Sequence, residues 1–291
     1  GDHRHLHSFP TRRSSDLAHA HHAAPGIGFA GERHNRGDAD HGQRPALSAH
    51  AVITALGIFF LMFAGGCRQA RPPQTIYDEV RQKSQRGDLD GALREADQAA
   101  REYSSGDAEW AWRFRVLKAQ ILVLRGSPQD ALALLKDSLP DSLRTTDVAV
   151  RRQMVLGLAH DFLQQYDEAE QDLADAGQLA RAYQPALLCD VMLSRGTLEA
   201  DRKNFPEAEK AFEQALSLAR AQGRQFLVAS ALGSLGNVAM WQEHYDQAVD
   251  RYKESLQLSQ SLGAGYSLSK TLGNMGWSYF AMGDFENALA L

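Results

Sequence analysis

Cysteine is almost missing from this sequence: 291 residues contain two, Cys67 and Cys189, and no Cys and His set has the spacing of a metal site. Basic residues are not in excess. Lys and Arg total 31 against 36 Asp and Glu, a formal net charge of -5, which removes the electrostatic ground for nucleic-acid binding by clustered cations. No strand-like segment runs into a glycine-rich phosphate loop. Beyond residue 50 only two histidines remain, His160 and His244, and they sit in different segments of the chain. His160 therefore reads as a packing histidine, and Asp172 and Asp175 read as solvated helix charges. Hydrophobic runs are short as well. The most apolar one, Ala51 to Gly66, has sixteen residues without a charge, below the ~20 needed to span a bilayer as a helix. No enzyme activity, catalytic residue, cofactor or metal is expected from this inventory.

What is present falls into unlike parts. Nine of the eleven histidines lie in the first fifty residues. "HSFPTRRSSDL", residues 7 to 17, looks like a translated sequencing adapter, so residues 1-45 read as a non-native, disordered leader to be set aside. Residues 46-67 read as a signal peptide or membrane anchor: Arg44, then the apolar run, then the small residues Ala64, Gly65 and Gly66 ahead of Cys67. That ending resembles a bacterial lipobox, with Ala64 where leucine is usual, and it implies lipidation of Cys67. Residues 68-72 are then a polar tether, and the domain beyond is expected in the cell envelope, outside the inner membrane. Cys189, left alone, reads as a small core hydrophobe.

From residue 73 the chain repeats itself. An alanine recurs at Ala92, Ala131, Ala169, Ala208, Ala248 and Ala288, spaced by 39, 38, 39, 40 and 40 residues. Three residues earlier stands a bulky or ring residue: Leu89, Pro128, Tyr166, Phe205, Tyr245, Phe285. Twelve residues earlier stands a small or β-branched one: Val80, Ala119, Gly157, Gly196, Gly236, Gly276. Apolar residues after each alanine keep helical spacing, and a short polar turn precedes each ring residue. Each unit thus predicts two helices, the first yielding space at its small residue and the second filling that space. A single pair cannot hide its apolar faces, so the units must stack.

These residues resemble the tetratricopeptide repeat family, most clearly in "RGTLEADRKNFPEAEKAFEQAL", "LGNVAMWQEHYDQAVDRYKESL" and "MGWSYFAMGDFENAL". The family's usual period is about 34 residues. Here it is about 39 to 40, as in long-period bacterial arrays of the kind found before caspase-like CHAT domains, and the proline usual near the end of each unit is mostly missing. The resemblance implies an all-α, right-handed solenoid of six units over residues 73-291, the last cut short at "FENALAL" as in a fragment.

It also implies a concave groove lined by first helices that holds a partner protein or peptide. Asn237, Trp241, Lys270, Asn274 and Trp277 are the groove candidates. Asn237 and Asn274 fall where the family's carboxylate-clamp members grip a peptide, although Gly233 replaces a needed lysine. A denser cluster, "EWAWRFR" (residues 109-115), reads as either core with a solvated face or a binding patch. Three roles follow: an interaction scaffold tethered in the envelope, the sensory or docking region of a larger protein, or a structural part of envelope assembly.

Overall fold

The computed structural model describes residues 71-291, apart from Ser105 and the side chains of Tyr266 and Ser267. The leader, the apolar run and Cys67 lie outside the described residues.

Twelve α-helices and no strand occur among the described residues. We number them α1 (Pro73–Arg86), α2 (Leu89–Glu102), α3 (Ala108–Leu124), α4 (Pro128–Leu134), α5 (Asp147–Phe162), α6 (Tyr166–Tyr183), α7 (Leu188–Asp201), α8 (Phe205–Ala221), α9 (Gln225–Trp241), α10 (Tyr245–Leu262), α11 (Gly265–Ala281) and α12 (Phe285–Leu289). Odd-numbered helices are the first, and even-numbered the second, of six hairpins. Each hairpin packs internally and against the next, while the first helices also touch one another along the stack. The fold is an all-α solenoid.

The small residue and its partner explain the pairing. The residue sixteen positions after it fills the space it leaves. A methyl group added to Gly196 would sit 2.5 Å from the Phe212 ring, one on Gly236 would sit 2.5 Å from Tyr252, and one on Gly157 would sit 2.7 Å from Leu173. Those distances are far inside van der Waals contact, so glycine is what lets the two helices meet. Unit 2 pairs Ala119 with Leu135, and unit 1 reverses the sizes with Val80 and Ala96, all four fully buried. The repeating alanines Ala92, Ala131, Ala169, Ala208 and Ala248 are also at 0 % exposure, as close packing between neighbouring helices demands.

Every hairpin turns through one left-handed residue. In units 1, 2 and 6 it is glycine, with φ of 92° at Gly87, 80° at Gly126 and 79° at Gly283; in units 3, 4 and 5 it is Gln164 (59°), Lys203 (63°) and Glu243 (64°). The following amide then reaches back to close the first helix: Gln165 to His160 O, Asn204 to Glu199 O, and His244 to Ala239 O. This is the Schellman ending, which glycine enters without the Cβ clash that other residues suffer. Gln164→Gly, Lys203→Gly and Glu243→Gly are each expected to raise stability by about 0.5–1 kcal/mol, after the extra backbone entropy of glycine is subtracted. Gly126→Ala should lower it by a similar amount. Urea unfolding of the four variants followed by circular dichroism checks both signs.

Ion pairs strap successive units together. The Arg113 guanidinium holds Asp147 at 2.7 and 2.9 Å and also binds Glu109. Arg202 donates to Glu170 and to the Tyr166 carbonyl, and Arg224 forks onto Asp190. The "EWAWRFR" cluster resolves into core and rim. Trp110 and Phe114 pack with Tyr77 and Tyr103, while Arg113 and Arg115 lie over the rings of Trp110 and Trp112.

Candidate functional site

Helical geometry decides which side chains face away from the second helices. The small residue points at its own second helix. At about 100° per residue, positions six and two before it and one and five after it point roughly 100–160° away. A cavity of about 290 Å³ lies on this inner face. Its walls come from five first helices: Arg81 of α1, Leu117, Gln120 and Leu124 of α3, Arg151 and Leu158 of α5, Asp190 of α7, and Phe226 of α9. Most of the lining residues occupy the positions the rotation selects; Ser84, Met154, Phe226 and Leu227 border the cavity from other positions. The lining mixes aliphatic and aromatic side chains with the charged Arg81, Arg151 and Asp190, and the volume suits one or two side chains of a ligand rather than a metabolite cofactor.

The five groove candidates share that face by register, and two of them are in direct contact. Asn237 and Asn274 face each other: the Asn274 amide donates to Asn237 Oδ1 at 2.7 Å, and the buried Tyr252 hydroxyl donates to the same oxygen at 2.8 Å. This Oδ1 is therefore already doubly engaged in tying α9, α10 and α11. Burial pushes the Tyr252 hydroxyl above the usual phenol range. Trp241 stacks on Phe205 at 6.1 Å and keeps 46 % of its surface exposed. Trp277 stacks on Phe280 at 5.6 Å with 50 % exposed. Lys270 is exposed, and its charge is felt at Asp201.

Two groups have settings that the residue pattern hid. Asp172, expected as a solvated charge, is instead largely covered and joined to His160 Nδ1 at 2.7 Å. The two stand twelve apart and face each other across hairpin 3, and burial raises the Asp172 carboxyl against the pull of His160. Asp161, at the end of α5, is 5 % exposed, and its Oδ1 receives no hydrogen bond. Its neighbour is a second carboxyl, Asp201 of α7. Desolvation first, then the Asp201 charge and a hydrogen bond shared with the Asp201 carboxyl, push Asp161 up to about 7. Asp201 is open to solvent on one side and is also raised, by desolvation, with Lys270 opposing.

Cys189 is fully buried, donates to the Ala215 carbonyl at 3.3 Å, and has its thiol pushed up to about 11 by burial. It is a core residue. Among the described residues no cluster of three or more His, Cys, Asp or Glu could hold a metal, and no helix is long and apolar enough to cross a membrane.

Paired helices, a small residue facing a ring and a ring residue after the turn stand together in units 4 and 5. Residues 227–291 match the tetratricopeptide repeat family. No curated protein matches the sequence. Among solved structures, the helical array is similar to BtubC of P. vanneervenii, at 20% identity over 69% of this chain and 87% of that one, with a TM-score of 0.52. It is similar to NprR in complex with its cognate peptide NprX, at 17% identity over 84% and 72%, TM-score 0.54; the apo form of that quorum sensor is from B. thuringiensis. A STAND-type signal transduction ATPase of Pyrococcus horikoshii, which carries a tetratricopeptide repeat sensor, aligns at 16% identity with a TM-score of 0.59. There the alignment takes in 84% of this chain and 39% of that one. At these identities the likeness is one of fold: tetratricopeptide-type hairpins stacked into a solenoid.

Proposed function

We propose that the chain is a protein-interaction scaffold whose first helices grip a peptide segment of a partner, and that Cys67 or the apolar run before it tethers the array in the bacterial cell envelope. The observation that carries the binding half is the inner-face cavity, walled by five successive first helices with apolar and charged side chains. Stacked rigid helices present such a surface at little ordering cost, which favours capture of a flexible partner. NprR, of similar fold, is known with a peptide bound.

Panning a random peptide library on the purified chain is expected to enrich defined sequences. Leu158→Arg, which plants a cation in the cavity wall, should abolish that enrichment while the far-ultraviolet circular dichroism stays unchanged. Equal enrichment on the variant would displace the site from the inner face. For the tether, metabolic labelling with a palmitate analogue should mark the protein and fail on Cys67→Ser. Unlabelled protein in the soluble fraction would remove the tether.

The sensor module of the Pyrococcus horikoshii ATPase favours a second reading. In it the same groove serves as the ligand-sensing part of a larger signalling chain.

A further inference from the structure

We propose that the inner-face cavity is a subsite for an acidic side chain, Asp or Glu, of the bound peptide, received by Arg81 and Arg151 while the apolar wall beside them takes the neighbouring residue. The proposal rests on the scaffold reading above and gives the partner its chemistry.

Three charged groups line the cavity, Arg81, Arg151 and Asp190, and their charges do not cancel one another. Asp190 is already taken, because Arg224, from outside the lining, forks onto it. Arg81 has no carboxylate partner among the described residues; its guanidinium lies 6.0 Å from the centre of the Tyr77 ring. Arg151 is little better placed. Its nearest acid, Asp147, stands 3.5 Å from Nε, and Asp147 already accepts two hydrogen bonds from Arg113. Two cations without an acid of their own thus share one cavity of about 290 Å³.

The second observation is the hydrogen bonding of Arg151. Its Nε is covered by the fold and donates to nothing, a rare condition in a folded protein that asks for a reason. A guanidinium offers five N–H donors, and no hydrogen bond among the described residues uses any of those on Arg151. The side chain keeps 22 % of its surface exposed, so its end stays within reach of a ligand. Like charges lining one small cavity repel, and the pair therefore works against the unliganded fold. A carboxylate answers both needs. It brings one negative charge and two acceptor oxygens, and its bonds to guanidinium are shorter and stronger than neutral ones. Beside the cations stand Leu117 of α3 and Leu158 of α5. They exclude water, which strengthens the ion pair, and they offer a surface to an apolar neighbour in the peptide. Leu158→Arg is expected to stop binding by spoiling this surface, in spite of its added positive charge.

The test uses the whole chain and a positional-scanning hexapeptide library read by fluorescence anisotropy. Asp or Glu should be selected at one internal position, with an aliphatic or aromatic residue beside it. Replacing that acid by its amide, of equal shape and no charge, should weaken binding about tenfold. Arg81→Gln and Arg151→Gln should each reduce the preference for acid over amide, and together they should erase it. In Arg81→Glu/Arg151→Glu the selected residue should switch to Lys or Arg, which a misfolded chain cannot produce. Amidating the peptide's C-terminus should leave the preference intact; binding lost on amidation would put a terminal carboxylate in the cavity and overturn the side-chain subsite. Peptides that bind without preference for an acid, or a preference that survives the double glutamine variant, would also overturn it and leave the scaffold standing. If no hexapeptide binds, both proposals fall.

Discussion

Gly236→Val is expected to destabilise the protein by about 1–3 kcal/mol, toward the upper end of what overpacking costs. The Cβ alone would meet the Tyr252 ring at 2.5 Å, and Tyr252 is fully buried with nowhere to retreat. Its hydroxyl is pinned to Asn237, which Asn274 pins in turn. Moving the ring therefore breaks the polar tie across α9, α10 and α11 as well as the packing. Tyr252→Ala alone should cost about 3–5 kcal/mol by leaving a hole. In Gly236→Val/Tyr252→Ala the added methyls occupy part of that hole, the arrangement that Val80 and Ala96 already have in unit 1. The double variant should then be more stable than the sum of the two losses by about 1–2 kcal/mol. Chemical denaturation of the four proteins measures this coupling, and strict additivity would mean that the two residues do not share the space.

Asp161→Asn should raise the melting temperature at pH 8 by about 5–10 °C and leave it nearly unchanged at pH 4. The Asp161 carboxyl is held up near 7 in the folded protein against an ordinary value of 3.8. The folded chain thus binds this proton more tightly than the unfolded one, and stability falls as pH rises from about 4 to about 7, then levels off. Asp201 is the like charge facing it, Arg202 opposes the shift, and Lys270 acts on Asp201. A three-unit displacement corresponds to a loss of roughly 2–4 kcal/mol once ionisation is complete, allowing for relaxation around the pair. Asparagine keeps the shape and cannot ionise, so the variant should lack that part of the slope. A melting curve for Asp161→Asn parallel to that of the parent between pH 4 and 8 would show that burial at α5 does not hold the carboxyl protonated.

The hairpin array could be read in advance because its signals are steric and recur at fixed spacing. Gly196 and Gly236 stand forty apart, each needing a ring residue sixteen positions on, and Phe212 and Tyr252 are there. The left-handed turns were only half legible. Gly87, Gly126 and Gly283 announce themselves, whereas Gln164, Lys203 and Glu243 adopt the same conformation because the flanking helices impose it. The groove candidates all lie in the last two units. Register alone assigns them to the inner face; it does not show that Asn237 is already spoken for by Tyr252 and Asn274. Asp161 and Asp201 are hidden in the sequence for a related reason. One is four and the other five residues past its glycine, so a comparison at equal positions never pairs them, and only the stagger of neighbouring helices does. His160 and Asp172 likewise meet across a hairpin, which a charge pattern on one helix does not show.

Helix α1 also touches α11, where the backbone carbonyl of Arg86 lies 3.0 Å from the space a side chain on Gly265 would need. An open stack of repeats frays inward from its ends, since a terminal unit has a neighbour on one side only. Here the first hairpin leans on the sixth, so the spiral is buttressed like a ring and opening it sideways breaks a contact between the most distant parts of the sequence. A guest polypeptide would then thread along the axis, or wait for that seam to part, rather than lie down in an open trough.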